Sequence, residues 1–185
     1  MTIQETSAIM DVLSVAYPQF YKSQDDDDRF MAARLWAEMF KDDNPAIVTA
    51  AVKAFIARDT KGFPPSIGSI KDRVYKLSQP QEMTEMEAWG LVARAIDNGT
   101  YGSKTEFEKL PEAIQRVIGS PSALRDWAQM RADTVESVIQ SNFMRSYRAR
   151  TAANREYGML PESVKEVVGK LSESMSMPAL PEADA

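Results

Sequence analysis

Neither cysteine nor histidine occurs anywhere in the 185 residues. Without cysteine there can be no disulfide, no thiolate nucleophile and no thiolate metal site. Without histidine the chain lacks the usual base of neutral-pH catalysis and the commonest ligand of transition metals. Several motifs are missing too. There is no G-x-x-x-x-G-K-[ST] to cradle nucleotide phosphates, no G-x-S-x-G and no H-E-x-x-H. Carboxylates are plentiful, but acids scattered over amphipathic helices ordinarily form a solvated face. The sequence is therefore that of a protein expected to be no enzyme, with no cofactor and no metal. A basic excess is absent as well: 22 Lys and Arg stand against 27 Asp and Glu, a net charge of -5. The overall field does not draw such a chain to nucleic acid, which leaves only a local basic patch to do so. The first twenty residues are interrupted by Glu5 and Asp11 and carry no basic segment, so neither a signal peptide nor a membrane span is expected. The expected location is the cytoplasm.

What is present is helical periodicity. At 44% hydrophobic and 26% charged the composition is that of a folded protein. Ile9, Val12, Leu13, Ala16 and Tyr17 recur at helical spacing until Pro18 forbids continuation. After the run Asp25 to Asp28, which suits a helix N-terminus, the spacing returns in Ala32, Leu35, Trp36, Met39 and Phe40. Asn44 and Pro45 open a third helix carrying Val48, Ala51, Val52, Phe55 and Ile56. Gly62 closes it, Phe63-Pro64-Pro65 makes a stiff extended connection, and Ser66 caps a fourth helix with Ile67, Ile70, Val74 and Leu77 turned inward.

Ser78 to Gln81 is a polar, proline-containing break. Beyond it Thr84 and Glu87 form a capping box ahead of Trp89, Val92, Ala93 and Ile96. Asn98 to Ser103, NGTYGS, has the composition of a flexible loop. Phe107 to Ile118 reads as one short helix or a pair broken at Pro111, and Ser120-Pro121 opens a turn bearing Leu124 and Trp127. The longest helix runs from about Asp133 to Tyr157, with Val135, Val138, Ile139, Asn142, Phe143 and Tyr147 on one side. A short amphipathic piece after Pro161 carries Val164, Val167, Val168 and Leu171. No segment alternates like a strand, so the fold class is all-α. The expectation is a small N-terminal four-helix bundle over 1–78, a linker at 79–83, a second helical region over 84–171 and a disordered tail from 172 to 185.

The stretch from Ala16 to Lys76 adds a pattern: AYPQF, then LWAEMFKDDNPAIVTAAVKAFIARD, then KGFPPSIGSIKDRV. Its spaced residues are Tyr17, Pro18, Trp36, Met39, Phe40, Asp42, Ala51, Val52, Phe55, Ile56, Phe63, Pro64, Pro65, Ser66 and Ile67. Over about residues 9–77 the chain resembles the N-terminal domain of the phage replicative-helicase loader and inhibitor family. The resemblance implies a small adaptor without ATPase activity. Such adaptors bind a hexameric replicative helicase in its ATP-bound form, hold it inactive and pass it to an origin-bound initiator. It also implies a flexible C-terminal region that engages the helicase. The sequence departs from this, because Trp89, Phe107, Trp127, Phe143 and Tyr147 lie on periodic faces of its second half.

Two groups stand out as candidates for partner binding. Most matched apolar residues have the spacing of a core, but the rigid Phe63-Pro64-Pro65 turn suits either docking a partner or orienting the fourth helix. The other group is the stretch from Asn142 to Arg155, which holds Arg145, Arg148, Arg150 and Arg155 and no acid. Guanidinium groups so concentrated suit phosphates or an acidic protein surface, and equally a solvated helix face. Tyr147 between them could stack on a base, and Phe143 shares its face. A helicase-binding adaptor with weak or indirect DNA contact and no membrane contact is the first reading. The alternative is a DNA-binding replisome organiser or repressor that uses the arginine-bearing helix.

Overall fold

Capping chemistry sets where the helices begin. The computed structural model describes residues 1–78 and 82–175, and among these every regular element is helical. Helix α1 (Ile3–Ala16) starts at Thr2, whose hydroxyl accepts from Glu5 N while the Glu5 carboxylate accepts from Thr2 N at 2.8 Å. Pro18 stops it and opens the single turn α2 (Pro18–Tyr21). Asp25 caps α3 (Asp26–Met39) by accepting the Asp28 N–H at 2.8 Å, with three more aspartates in the first turn where the helix dipole favours them. Asn44 caps α4 (Pro45–Arg58) through the Ala46 N–H, and Ser66 accepts the Ser69 N–H at the start of α5 (Ile67–Ser78).

The chain divides into two compact units: Met1–Pro80 with Tyr157–Ala185, and Gln81–Glu156. The first is built on Ile9, Leu13, Tyr17, Ala33, Trp36, Phe40, Val48, Val52, Ile70 and Val74. The Trp36 and Phe40 rings lie 5.2 Å apart at its centre. Phe40 is fully buried, which stabilises the fold by roughly 2–3 kcal/mol relative to an exposed ring. Lys71 is buried as well. Its ammonium donates to Asp43 at 2.6 Å and sits 5.0 Å from the Phe40 ring centroid, so it is neutralised where it is desolvated. Leu35 and Leu77, expected to face inward, are half exposed. The buried stripe of α3 is centred on Ala33, Trp36 and Phe40, which turns Leu35 outward, and Lys71 fills the α5 face where a further aliphatic was anticipated.

Helix α12 (Glu162–Met175) belongs to this first unit, not to the region 84–171 in which the sequence reading placed its apolar residues. Asp42, from the matched pattern, accepts the Glu162 N–H at 3.0 Å and so caps it. Gly158 precedes it, where an added Cβ would come within 2.8 Å of the Tyr75 ring. The helix runs past Ser172, the expected start of the disordered tail. Ser172 and Ser174 donate back to the carbonyls of Gly169 and Leu171 and keep the backbone helical beyond its last aliphatic residue. The rest of the expected tail, 176–185, and positions 79–81 of the expected linker lie outside the described residues.

The second unit contains α6 (Glu85–Asp97), α7 (Gly99–Lys109), α8 (Glu112–Ile118), α9 (Pro121–Ala128) and a last helical stretch. That stretch comprises α10 (Ala132–Thr134), a π-helical turn Val135–Ile139, and α11 (Gln140–Gly158), whose last turn passes the unit boundary. Thr84 and Glu87 form the anticipated capping box, Leu110–Pro111 separates α7 from α8, and Gly119 closes α8 with φ +89°. The NGTYGS loop is corrected: residues from Gly99 onward are helical, with a kink at Gly102. Packing overrides the loop-like composition, because Gly99 is buried against Leu124 and Ala128 and a Cβ there would meet the Ala128 methyl at 3.1 Å. The core joins Trp89, Val92, Ile114, Ile118, Leu124, Phe143 and Tyr147.

Candidate partner-binding surfaces

In the first unit, the turn after α4 is assembled by one carboxylate. Asp59 Oδ1 accepts the Lys61 N–H and Oδ2 accepts the Gly62 N–H, each at 3.0 Å. Those backbone donors, Lys61 foremost, hold the Asp59 carboxyl below its ordinary range. Gly62 adopts φ +73°, a conformation open to glycine at no steric cost, and its carbonyl accepts a weak bond from Gln19 Nε2 at 3.4 Å. Nearby, burial first and the Asp59 charge second raise the pKa of the Tyr17 hydroxyl.

This turn presents Phe63. Its ring is 60% exposed and leans on Phe20, with centroids 5.2 Å apart and planes tilted by 49°. Phe20 is itself exposed, so the pair forms an aromatic knob on the surface. Pro64 is half buried and Pro65 buried, so the same turn both anchors α5 and offers a ring to solvent. Phe20 was missed by the sequence reading, since one aromatic in the single turn after Pro18 shows no periodicity.

The candidates of α11 separate into two kinds. Phe143 and Tyr147 are core residues, 5.8 Å apart and stacked, with Trp89 5.7 Å from Phe143. The Tyr147 hydroxyl points toward the Met83 carbonyl at 3.5 Å, and burial raises its pKa. Neither ring faces solvent, so neither is available to stack on a base. Arg145 and Arg150 are exposed. Arg148 is engaged within the unit: its Nε and a terminal nitrogen donate to the two Glu85 carboxylate oxygens at 2.6 and 2.7 Å. That hydrogen bond lowers the Glu85 pKa and raises that of Arg148. Arg155 is half buried. The four arginines thus do not act as one open cluster.

Two further apolar surfaces are present. On α12, Val164, Val167, Val168 and Leu171 form an exposed stripe at i, i+3, i+4 and i+7. Within the second unit a groove of about 770 Å³ lies between α6 and the stretch from α9 to the start of α11. Its walls include Met86, Trp89, Trp127 and Met130. Among the described residues no group of three or more carboxylates is placed to hold a metal ion, and no helix is long and apolar enough to cross a membrane.

An all-helical chain whose exposed features are aromatic knobs and apolar stripes belongs to the class of proteins built to contact other macromolecules. Residues 1–71 match the family model for the N-terminal domain of gp39, a phage helicase loader. The match takes in α1 to α4 and the first turn of α5, including Trp36, Phe40, Phe63, Pro64 and Pro65. No curated protein and no solved structure matches the chain.

Proposed function

We propose that this protein is a replication adaptor without ATPase activity, which binds a hexameric replicative helicase, restrains it and helps to load it at a phage origin. The observation that carries the reading is the match to the helicase-loader N-terminal domain over 1–71 in a chain with no nucleotide-cradling motif. An adaptor of this kind works by mass action. It binds one conformation of the ring better than the others, here the ATP-bound one, and is released when nucleotide hydrolysis or an initiator at the origin shifts that preference. The Phe20–Phe63 knob and the α12 stripe supply apolar area, and the exposed Arg145 and Arg150 supply orientation and encounter rate. Pro64 and Pro65 fix the knob before binding, which reduces the entropy lost on docking. DNA contact is weak or indirect, in keeping with the net charge of -5 and the pairing of Arg148 with Glu85. The host cytoplasm is the compartment in which such an adaptor meets its helicase. The test is affinity capture of the cognate helicase on the immobilised full chain with ATP, ADP or no nucleotide. Capture that depends on ATP supports the reading, and absence of capture under every condition overturns it.

A further inference from the structure

The groove of the second unit lies outside the family match, which ends at residue 71, and the loader reading does not need it. Its chemistry is uneven. The walls are apolar and soft: Trp89 and Trp127 form one part, and Met86 and Met130, 59% and 43% exposed, stand as flexible thioethers. The charged residues that line it are Asp97 and Glu136, and no lysine or arginine does. The backbone on one side is the π-helical turn Val135–Ile139, a rare form that recurs at functional sites.

From this we infer that the groove receives a basic amphipathic helix of a partner protein, with its apolar face against the tryptophans and methionines and its cations beside Asp97 and Glu136. Three observations select that occupant. First, the volume of about 770 Å³ holds several side chains, and the polar groups are two like charges instead of the convergent set that orients a small ligand. Second, a trough between helices suits a helix laid lengthwise, whose apolar residues repeat every three or four positions. Third, the charge requires a cationic partner. A second copy of this chain does not supply one. The exposed face of α11 carries Arg145 and Arg150 among alanines and serines, without large apolar residues. The apolar stripe of α12 is set among three glutamates and two lysines. Neither is both apolar and basic.

The full-length chain can be tested with a short leucine–lysine amphipathic peptide and its leucine–glutamate counterpart, by calorimetry and by the emission of Trp89 and Trp127. The lysine peptide is expected to bind and shift the emission, and the glutamate peptide to bind at least about tenfold more weakly, a difference of roughly 1.4 kcal/mol. Met86→Asp and Met130→Asp change exposed side chains and are expected to weaken the lysine peptide about tenfold with thermal stability kept. Paired Asp97→Lys and Glu136→Lys substitutions reverse the preference between the two peptides. The inference is overturned if the lysine peptide does not bind, if both peptides bind alike, or if the charge reversal leaves the preference unchanged in a folded protein. Helicase capture is scored separately on the same variants, so a failed groove and a failed loader reading give different results.

Discussion

Phe63→Ala separates the two roles of the aromatic-proline turn. The ring is 60% exposed and touches Phe20, so the folded chain itself gains little from it. With a phenylalanine side chain burying roughly 200 Å² when covered, about 120 Å² remains available to a partner. At about 25 cal/mol per Å² that surface contributes on the order of 3 kcal/mol to docking, or roughly a hundredfold in affinity. The stability lost on truncation should stay at or below about 1 kcal/mol, because less than half of the ring is buried in the first place. Urea unfolding followed by far-UV circular dichroism gives the second quantity. Titration of labelled protein with the ATP-bound helicase, read by fluorescence anisotropy, gives the first. A variant that keeps its urea midpoint and loses about two orders of magnitude in affinity is the expected outcome. If it unfolds early, the turn is chiefly an anchor for α5. If it is stable and binds like the parent, Phe63 is no docking residue and the knob has been misread.

Gly62→Ala forces a Cβ into φ +73° and should cost about 1–2 kcal/mol, seen as a lower urea midpoint. Asp43→Ala leaves the Lys71 ammonium buried without its partner and should destabilise the first unit by about 3 kcal/mol or more, measured by thermal unfolding. Phe143→Ala opens a cavity in the second core at a cost of about 3–5 kcal/mol. Amide exchange should therefore report loosening of α6 and α11 and not a defect confined to a binding face. Glu85 titrates below the ordinary carboxylate range because Arg148 donates to it. Its folded pKa is depressed, so the stability it contributes is present above that ordinary range and lost as pH falls through the folded value. In Arg148→Ala an NMR titration of the Glu85 carboxyl should move its midpoint back up, and an unmoved midpoint would contradict the pairing.

The parts of the fold legible in the sequence were those governed by local chemistry. Thr84 with Glu87, Asn44 with Pro45, Asp25 and Ser120 all cap where their side chains can reach a free N–H, and the apolar spacing around Leu13, Trp36 and Val52 marks the first core. What was not legible depended on partners distant in the chain. Gly99 and Ser103 read as a loop, yet packing of α7 on α9 makes them helical. Nothing local says that Asp42 caps α12, or that the last helix joins the first unit. The site divides in the same way. Phe63 and the prolines stand out because proline restricts the backbone, whereas Phe20 became a candidate only through its contact with Phe63. The arginines of α11 formed one cluster by count, and Glu85, sixty-three residues earlier, engages Arg148.

The measurement that bears most directly on the central claim is the mass, by size-exclusion chromatography with light scattering, of the mixture of this protein with its cognate hexameric helicase. With ATP the account predicts a co-eluting complex heavier than the hexamer, and with ADP a complex that weakens or separates. Separate elution of the two proteins with both nucleotides would contradict the claim that this chain is a helicase-binding adaptor.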